Sequence, residues 1–189
     1  MGWNLIEMKR QLAMLVAATV LLLMIPLVAM QVSNEVNWSV LDFIVMGALL
    51  LSAGIAYVLV AGLRNDAAYK AAVGLAVSTA FVLVWINLAV GLIGSENNPA
   101  NLLYLGVIAT GLVGATIARL RPRGMKYALI ATAIVQAIVP FVAMIVWTPE
   151  FTAEESPGII GVIFLNTGIA LLFAISALLF RRADFASQN

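Results

Sequence analysis

The sequence predicts an all-α, polytopic membrane protein whose six transmembrane helices form three hairpins. Three observations carry that reading. Of 189 residues, 63% are hydrophobic and 10% charged, against roughly 25% charged in soluble domains, and the mean hydropathy is +1.07. Six apolar runs, near 9–30, 40–63, 68–94, 100–120, 124–147 and 157–180, each reach the roughly 20 residues that a helix needs to cross a hydrocarbon core. All ten Lys and Arg residues fall on one side of those runs, in the groups Lys9-Arg10, Arg64 with Lys70, Arg119 through Lys126, and Arg181-Arg182. Uninterrupted runs argue against a transmembrane β-barrel, whose strands alternate in segments of about ten residues.

The runs are justified in chain order. The first carries Pro26 and is followed by Val28-Ala29-Met30-Gln31, which lacks a small-x-small cleavage signal and so reads as a retained anchor. Pro26, like Pro140 in the fifth run, lacks a backbone donor inside a helical stretch and predicts a kink there. Before the second run, Ser39-Val-Leu-Asp42 has capping-box spacing. Asp42 is therefore read in two ways: as a first-turn carboxylate favoured by the helix dipole, or as a candidate cation or proton site, with Glu96 of the next outward loop as the second.

The third run brings Asn87, Gly91 and Gly94 onto one helix face. Asn98-Pro99 and Ser156-Pro157 place a cap before a proline at the first helical position of runs four and six. Asn98-Pro99-Ala100 also matches the aquaporin tripeptide, but it occurs once, in a short outward loop with no adjacent arginine, and that context excludes the family. In the fourth run Gly106, Thr110, Gly114 and Ala118 recur every four residues, a small-residue face that lets helix backbones approach closely. These faces place helices three and four at the tight centre of the bundle. Runs five and six carry Gln136 and Asn166 at depths of roughly 16 and 14 Å below the outer surface, matched so that their amides meet across the hairpin.

Basic residues flanking membrane helices stay cytoplasmic, so the sequence predicts both termini inside. The outward face then carries Glu35, Asp42, Glu96, Glu150, Glu154 and Glu155 with no positive charge. Such a surface raises local cation concentration, and a cationic ligand is the partner it fits. There is no histidine, which excludes bis-imidazole haem ligation and histidine proton relays. The lack of cysteine excludes disulfides and thiolate chemistry, and no mid-span lysine is present for a retinal Schiff base. No catalytic constellation, metal site or cofactor is expected, and no nucleic-acid partner.

An internal repeat accompanies this layout within a single bundle domain, 1–189, of hairpins at about 9–63, 68–120 and 124–180. A shift of 114 positions places Pro26 on Pro140, Val28-Ala29-Met30 on Val142-Ala143-Met144, Gly47 on Gly161, and Gly54-Ile55-Ala56 on Gly168-Ile169-Ala170. The copies, helices one and two and helices five and six, have the same orientation, unlike the inverted repeats of many alternating-access transporters.

Gly47-Ala48-Leu49-Leu50-Leu51-Ser52-Ala53-Gly54-Ile55-Ala56, after a proline-bearing first helix, resembles the repeated hairpin of the HdeD family of small bacterial membrane proteins linked to acid resistance. The resemblance covers helices one, two, five and six and rests mainly on glycine spacing. It implies a bacterial inner-membrane protein tied to envelope or acid stress, in a family whose molecular activity is itself undefined. Three function classes follow. The first is a non-enzymatic bundle acting by association, as a homo-oligomer or as a subunit of a larger membrane complex. The second is a small cation channel or solute carrier with an acidic outer mouth. The third is a lipid-modifying enzyme, disfavoured because the basic groups that fit lipid headgroups have no catalytic partner nearby.

Overall fold

A computed structural model describes residues 5–33, 35–94, 97–146 and 158–186. These form α1 (Leu5–Val32), α2 (Val40–Ala61), α3 (Ala67–Ala89), a 3₁₀ turn (Pro99–Leu102), α4 (Leu103–Ala118), α5 (Pro122–Val146) and α6 (Gly158–Ala186). Among the described residues there is no strand. Among the described residues six helices, with the 3₁₀ turn and α4 forming one span, are long and apolar enough to cross a membrane. α1 continues past Pro26 and α5 past Pro140, so neither proline ends its helix.

The chain divides into two compact units, Met1–Leu59 and Val60–Asn189. In the first, α1 and α2 run antiparallel: a Cβ on Gly47 would lie 3.4 Å from Leu23 Cδ1, and one on Gly54 would run into the Leu15 side chain. α2 starts with a reciprocal cap. Asp42 Oδ2 accepts from the Ser39 amide at 2.7 Å and the Ser39 hydroxyl at 2.8 Å, while Ser39 Oγ accepts from the Asp42 amide at 3.3 Å. Trp38 and Phe43 bracket the cap edge to face, with ring centroids 5.2 Å apart; this is the hydrophobic staple that fixes the entry of the chain into a helix.

In the second unit α5 lies between α4 and α6, and α3 packs on α6. Neighbours are antiparallel. The α4–α5 seam is made of small residues: a Cβ on Gly111 would lie 3.5 Å from Thr132 Oγ1, one on Gly114 2.7 Å from Ala128 Cβ, and one on Gly124 2.7 Å from Ala118 Cβ. α6 is tied to α3 by the Ser176 hydroxyl, which donates to Ala72 O at 2.7 Å, and by Tyr69 and Phe180, whose rings meet edge to face at 5.4 Å.

Two expectations are corrected. α3 and α4 make little contact, and the centre of this unit is the α5–α6 pair. The packing face of α4 keeps Gly114 and Ala118 of the expected set but not Gly106 and Thr110: a Cβ on Gly106 would have nothing within 4 Å among the described residues, and Thr110 Oγ1 donates back to Gly106 O at 2.7 Å. The reason is angular. Each step of four residues overshoots a full helical turn by about 40°, so a run of such steps drifts around the helix, whereas alternating steps of three and four stay on one face. Gly111, Gly114 and Ala118 follow the second pattern.

Helix ends differ from the sequence reading where backbone conformation intervenes. α3 ends at Ala89, earlier than the apolar run implies, because Gly91 and Gly94 adopt φ of 73° and 63°; such left-handed geometry ends a helix and is open to glycine without steric cost. Asn98 caps the 3₁₀ turn through Ala100 N→Oδ1 at 2.9 Å, with Pro99 in the first turn. The paired Ser156-Pro157 lies outside the described residues.

Gly114→Ala is expected to destabilise the protein by about 1–3 kcal/mol, the usual cost of overpacking, while Gly106→Ala leaves stability unchanged or slightly raised. Thermal unfolding in detergent reads both; equal losses at the two positions would reject the α4–α5 seam.

Candidate functional site

Apart from the hydroxyls of Thr79, Thr132 and Ser176, each of which donates to a backbone carbonyl, the buried polar side chains of the second unit lie at two points. At the first, Asn166 Oδ1 accepts from Gln136 Nε2 at 2.8 Å and from the Tyr104 hydroxyl at 2.9 Å. Its amide nitrogen donates to Val162 O, one turn earlier on α6, at 2.8 Å. One carbonyl oxygen therefore joins α4, α5 and α6. All three residues are buried, at 2%, 0% and 1% exposure for Tyr104, Gln136 and Asn166. An amide left unpaired in such surroundings costs far more than it gains when paired, so the helices that supply the partners are held in register. Gln136 Oε1 remains buried without a partner.

The second point is the connection between α3 and α4. Asn101 Oδ1 accepts from the amides of Leu92 and Ile93 at 3.1 and 3.0 Å, and its Nδ2 donates to Ile93 O at 3.2 Å. Leu92, Ile93 and Ala100 are fully buried, so the described parts of this connection fold onto the helix ends. Buried loop backbone needs partners for its N–H and C=O groups, and Asn101 supplies them from one side chain. Asn87 belongs here and not with Gln136 and Asn166: its Nδ2 donates to Asn101 O at 3.3 Å, and its Oδ1 is buried without a partner.

Gln136 and Asn166 thus meet, as their matched depths suggest, and Tyr104 joins them. Tyr104 and Asn101 carry as much of the polar interior as the residues chosen from sequence. Their signal was faint: Asn101 directly follows Pro99-Ala100 and Tyr104 comes three residues later, both at the start of the fourth apolar run. Asp42 holds its cap with Ser39 through Oδ2 and sits exposed in the first turn of α2. Glu96, the other candidate cation or proton site, lies outside the described residues, as do Glu150, Glu154 and Glu155. Among the described residues no group of three or more Asp and Glu is placed to hold a metal ion.

No protein-family model matches this chain, and neither a curated protein nor a solved structure does.

A double-mutant cycle on Gln136→Leu and Asn166→Leu should give a coupling of about 0.6–2 kcal/mol; additive losses would dissolve the pair. Asn101→Ala orphans two buried amides and should cost more than about 2 kcal/mol, well above Asn98→Ala. Chemical or steric-trap unfolding in micelles ranks the two, and the reverse order would remove Asn101 from its central place.

Proposed function

We propose that this chain is a non-enzymatic bundle of the bacterial inner membrane that acts by helix association, as a homo-oligomer or as an accessory subunit of a larger membrane complex. The observation that carries the reading is the use made of the buried polar groups: Tyr104, Gln136 and Asn166 are spent on one another across three helices. Helix-to-helix hydrogen bonds and small-residue seams are the means by which helices associate where lipid is as apolar as leucine. The Gly106–Thr110 face of α4, where a Cβ on Gly106 would meet no described residue within 4 Å, supports the same mode of contact with a further helix.

The placement of all ten basic residues supports an orientation with both termini cytoplasmic. The 114-residue offset supports a parallel repeat of the first and third hairpins. The glycine spacing shared with the HdeD family supports a role in envelope or acid stress. A cation channel or carrier with an acidic outer mouth is the competing reading, in which Asp42 and Glu96 lie on the path. The bonds of both Ser39 donors to Asp42 Oδ2 favour a capping role for that carboxylate.

Light scattering of the purified protein should give a protein mass that is a multiple of 20.1 kDa, or reveal a co-purifying membrane subunit. A lone monomer at every concentration would end the association reading. Because the chain has no cysteine, single Glu35→Cys and Asn65→Cys variants report orientation: an impermeant maleimide should label the first in intact cells and the second only after permeabilisation. In liposomes, Asp42→Asn should leave ion flux at the protein-free level, as for the unaltered chain; flux that this substitution abolishes would favour the channel.

A further inference from the structure

The turn from α4 to α5 packs three arginines into five residues, Arg119-Leu120-Arg121-Pro122-Arg123. All three, together with Arg64, line one cavity of about 410 Å³, in which Tyr69 forms part of the wall and Asp184 is the single acidic residue. The volume lies within the range of about 300–1,000 Å³ typical of small-ligand sites. Four guanidinium groups against one carboxylate leave a formal excess of three positive charges around it.

Ordinary helix electrostatics explains only part of this. Arg119 lies at the C-terminal end of α4, where the dipole favours cations, but Arg121 immediately precedes α5 and Arg123 lies in its first turn, where the dipole disfavours them. The backbone is also unusual. Arg119 and Leu120 both adopt left-handed conformations, with φ of 49° and 56°, at a helix end where glycine is the usual occupant. Strained backbone of this kind persists where surrounding structure over-determines it and clusters at ligand sites.

The surrounding structure is identifiable. The Tyr69 hydroxyl donates to Leu120 O at 2.9 Å. The amides of Leu120 and Arg121 donate to Ala115 O and Ala118 O at 3.2 and 3.0 Å, and that of Arg119 to Thr116 O at 3.0 Å. The guanidinium of Arg64 lies over the Tyr69 ring, 5.8 Å from its centroid. The turn is thereby pinned to α3, and the amides of Arg119, Leu120 and Arg121 are used within the chain, so anion binding falls chiefly to the arginine side chains.

We propose that this cavity binds a phosphate ester, held by the guanidinium groups of Arg64, Arg119, Arg121 and Arg123. Guanidinium forks match phosphate oxygens bidentately, and several forks around one cavity suit a tetrahedral group with three or more acceptor oxygens better than a planar carboxylate. The ester is either the headgroup of an anionic phospholipid or a soluble phosphate ester. The lipid source rests on the proposed orientation, which sets this end of the bundle at the cytoplasmic headgroup level; the soluble source does not.

The test uses the full chain in phosphate-free buffer. One arm measures binding of phosphatidylglycerol, against phosphatidylcholine, by native mass spectrometry from neutral detergent; the other measures glycerol 3-phosphate by calorimetry. Saturable binding is expected in at least one arm, weakened roughly tenfold or more in R119Q/R121Q, which removes two forks. R181Q/R182Q removes the same charge from α6 residues outside the cavity and should change affinity less than about twofold. R121K/R123K keeps the charge and the fold while losing the forks, and should weaken binding about threefold or more. Binding of phosphatidylglycerol alone identifies a lipid headgroup; competition by glycerol 3-phosphate identifies a soluble ester; each outcome supports the cavity. Absence of saturable binding in both arms, or an equal loss in R181Q/R182Q, overturns it. The maleimide labelling reports orientation separately, so a reversed topology and a failed site are distinguishable.

Discussion

One carbonyl oxygen, Asn166 Oδ1, holds three helices of the larger unit together. It takes hydrogen bonds from Gln136 of α5 and Tyr104 of α4 while its own amide nitrogen is returned to α6 at Val162. In apolar surroundings packing alone discriminates poorly between helix registers, because one aliphatic contact resembles another. An unpaired amide does discriminate: a slip of one residue would turn Asn166 by about 100° and strand three polar groups without partners. Around this point α5 becomes the central helix, with its small residues accepting α4 on one side and its amide accepting α6 on the other.

The two ends of the unit are held by different chemistry. At one end Asn101 gathers a short buried connection by bonding the backbone of Leu92 and Ile93. At the other, Tyr69 bonds the carbonyl of a left-handed turn and stacks edge to face on Phe180, so α3, α6 and the α4–α5 turn converge there. Between the ends lies the seam of Gly111, Gly114 and Ala118 against Thr132, Ala128 and Gly124. Each device works because backbone groups or small residues permit an approach that larger side chains would block. The basic end is the one where strain and charge are concentrated, and it is also where a ligand chemistry can be read.

What was legible in the sequence followed from strong local signals. The helices of the described chain stand where the apolar runs lie, because crossing-length apolar stretches have few alternatives to helix. Ser39 and Asp42 form the reciprocal cap that their spacing implies, since a capping box is a contact between residues three apart. Gln136 and Asn166 were legible as a pair because both are amides and their depths match. Less legible were Tyr104 and Asn101, whose roles depend on partners 62 residues away in one case and on a loop's return path in the other. The α4 packing face was legible at Gly114 and Ala118 but not at Gly106 and Thr110, because spacing by four looks periodic in sequence while drifting around a real helix.

By itself the sequence determined the all-helical class and the six long apolar helices of the described chain, which depend on composition and on interactions within about one helical turn. Tertiary structure decided which helices are neighbours, which glycines face another backbone, and that Arg64 joins the three arginines of the α4–α5 turn around one cavity with Tyr69 at its wall. Those properties arise from side chains far apart in the chain, and their geometry is set by a small number of buried polar bonds and close contacts. No local periodicity encodes them.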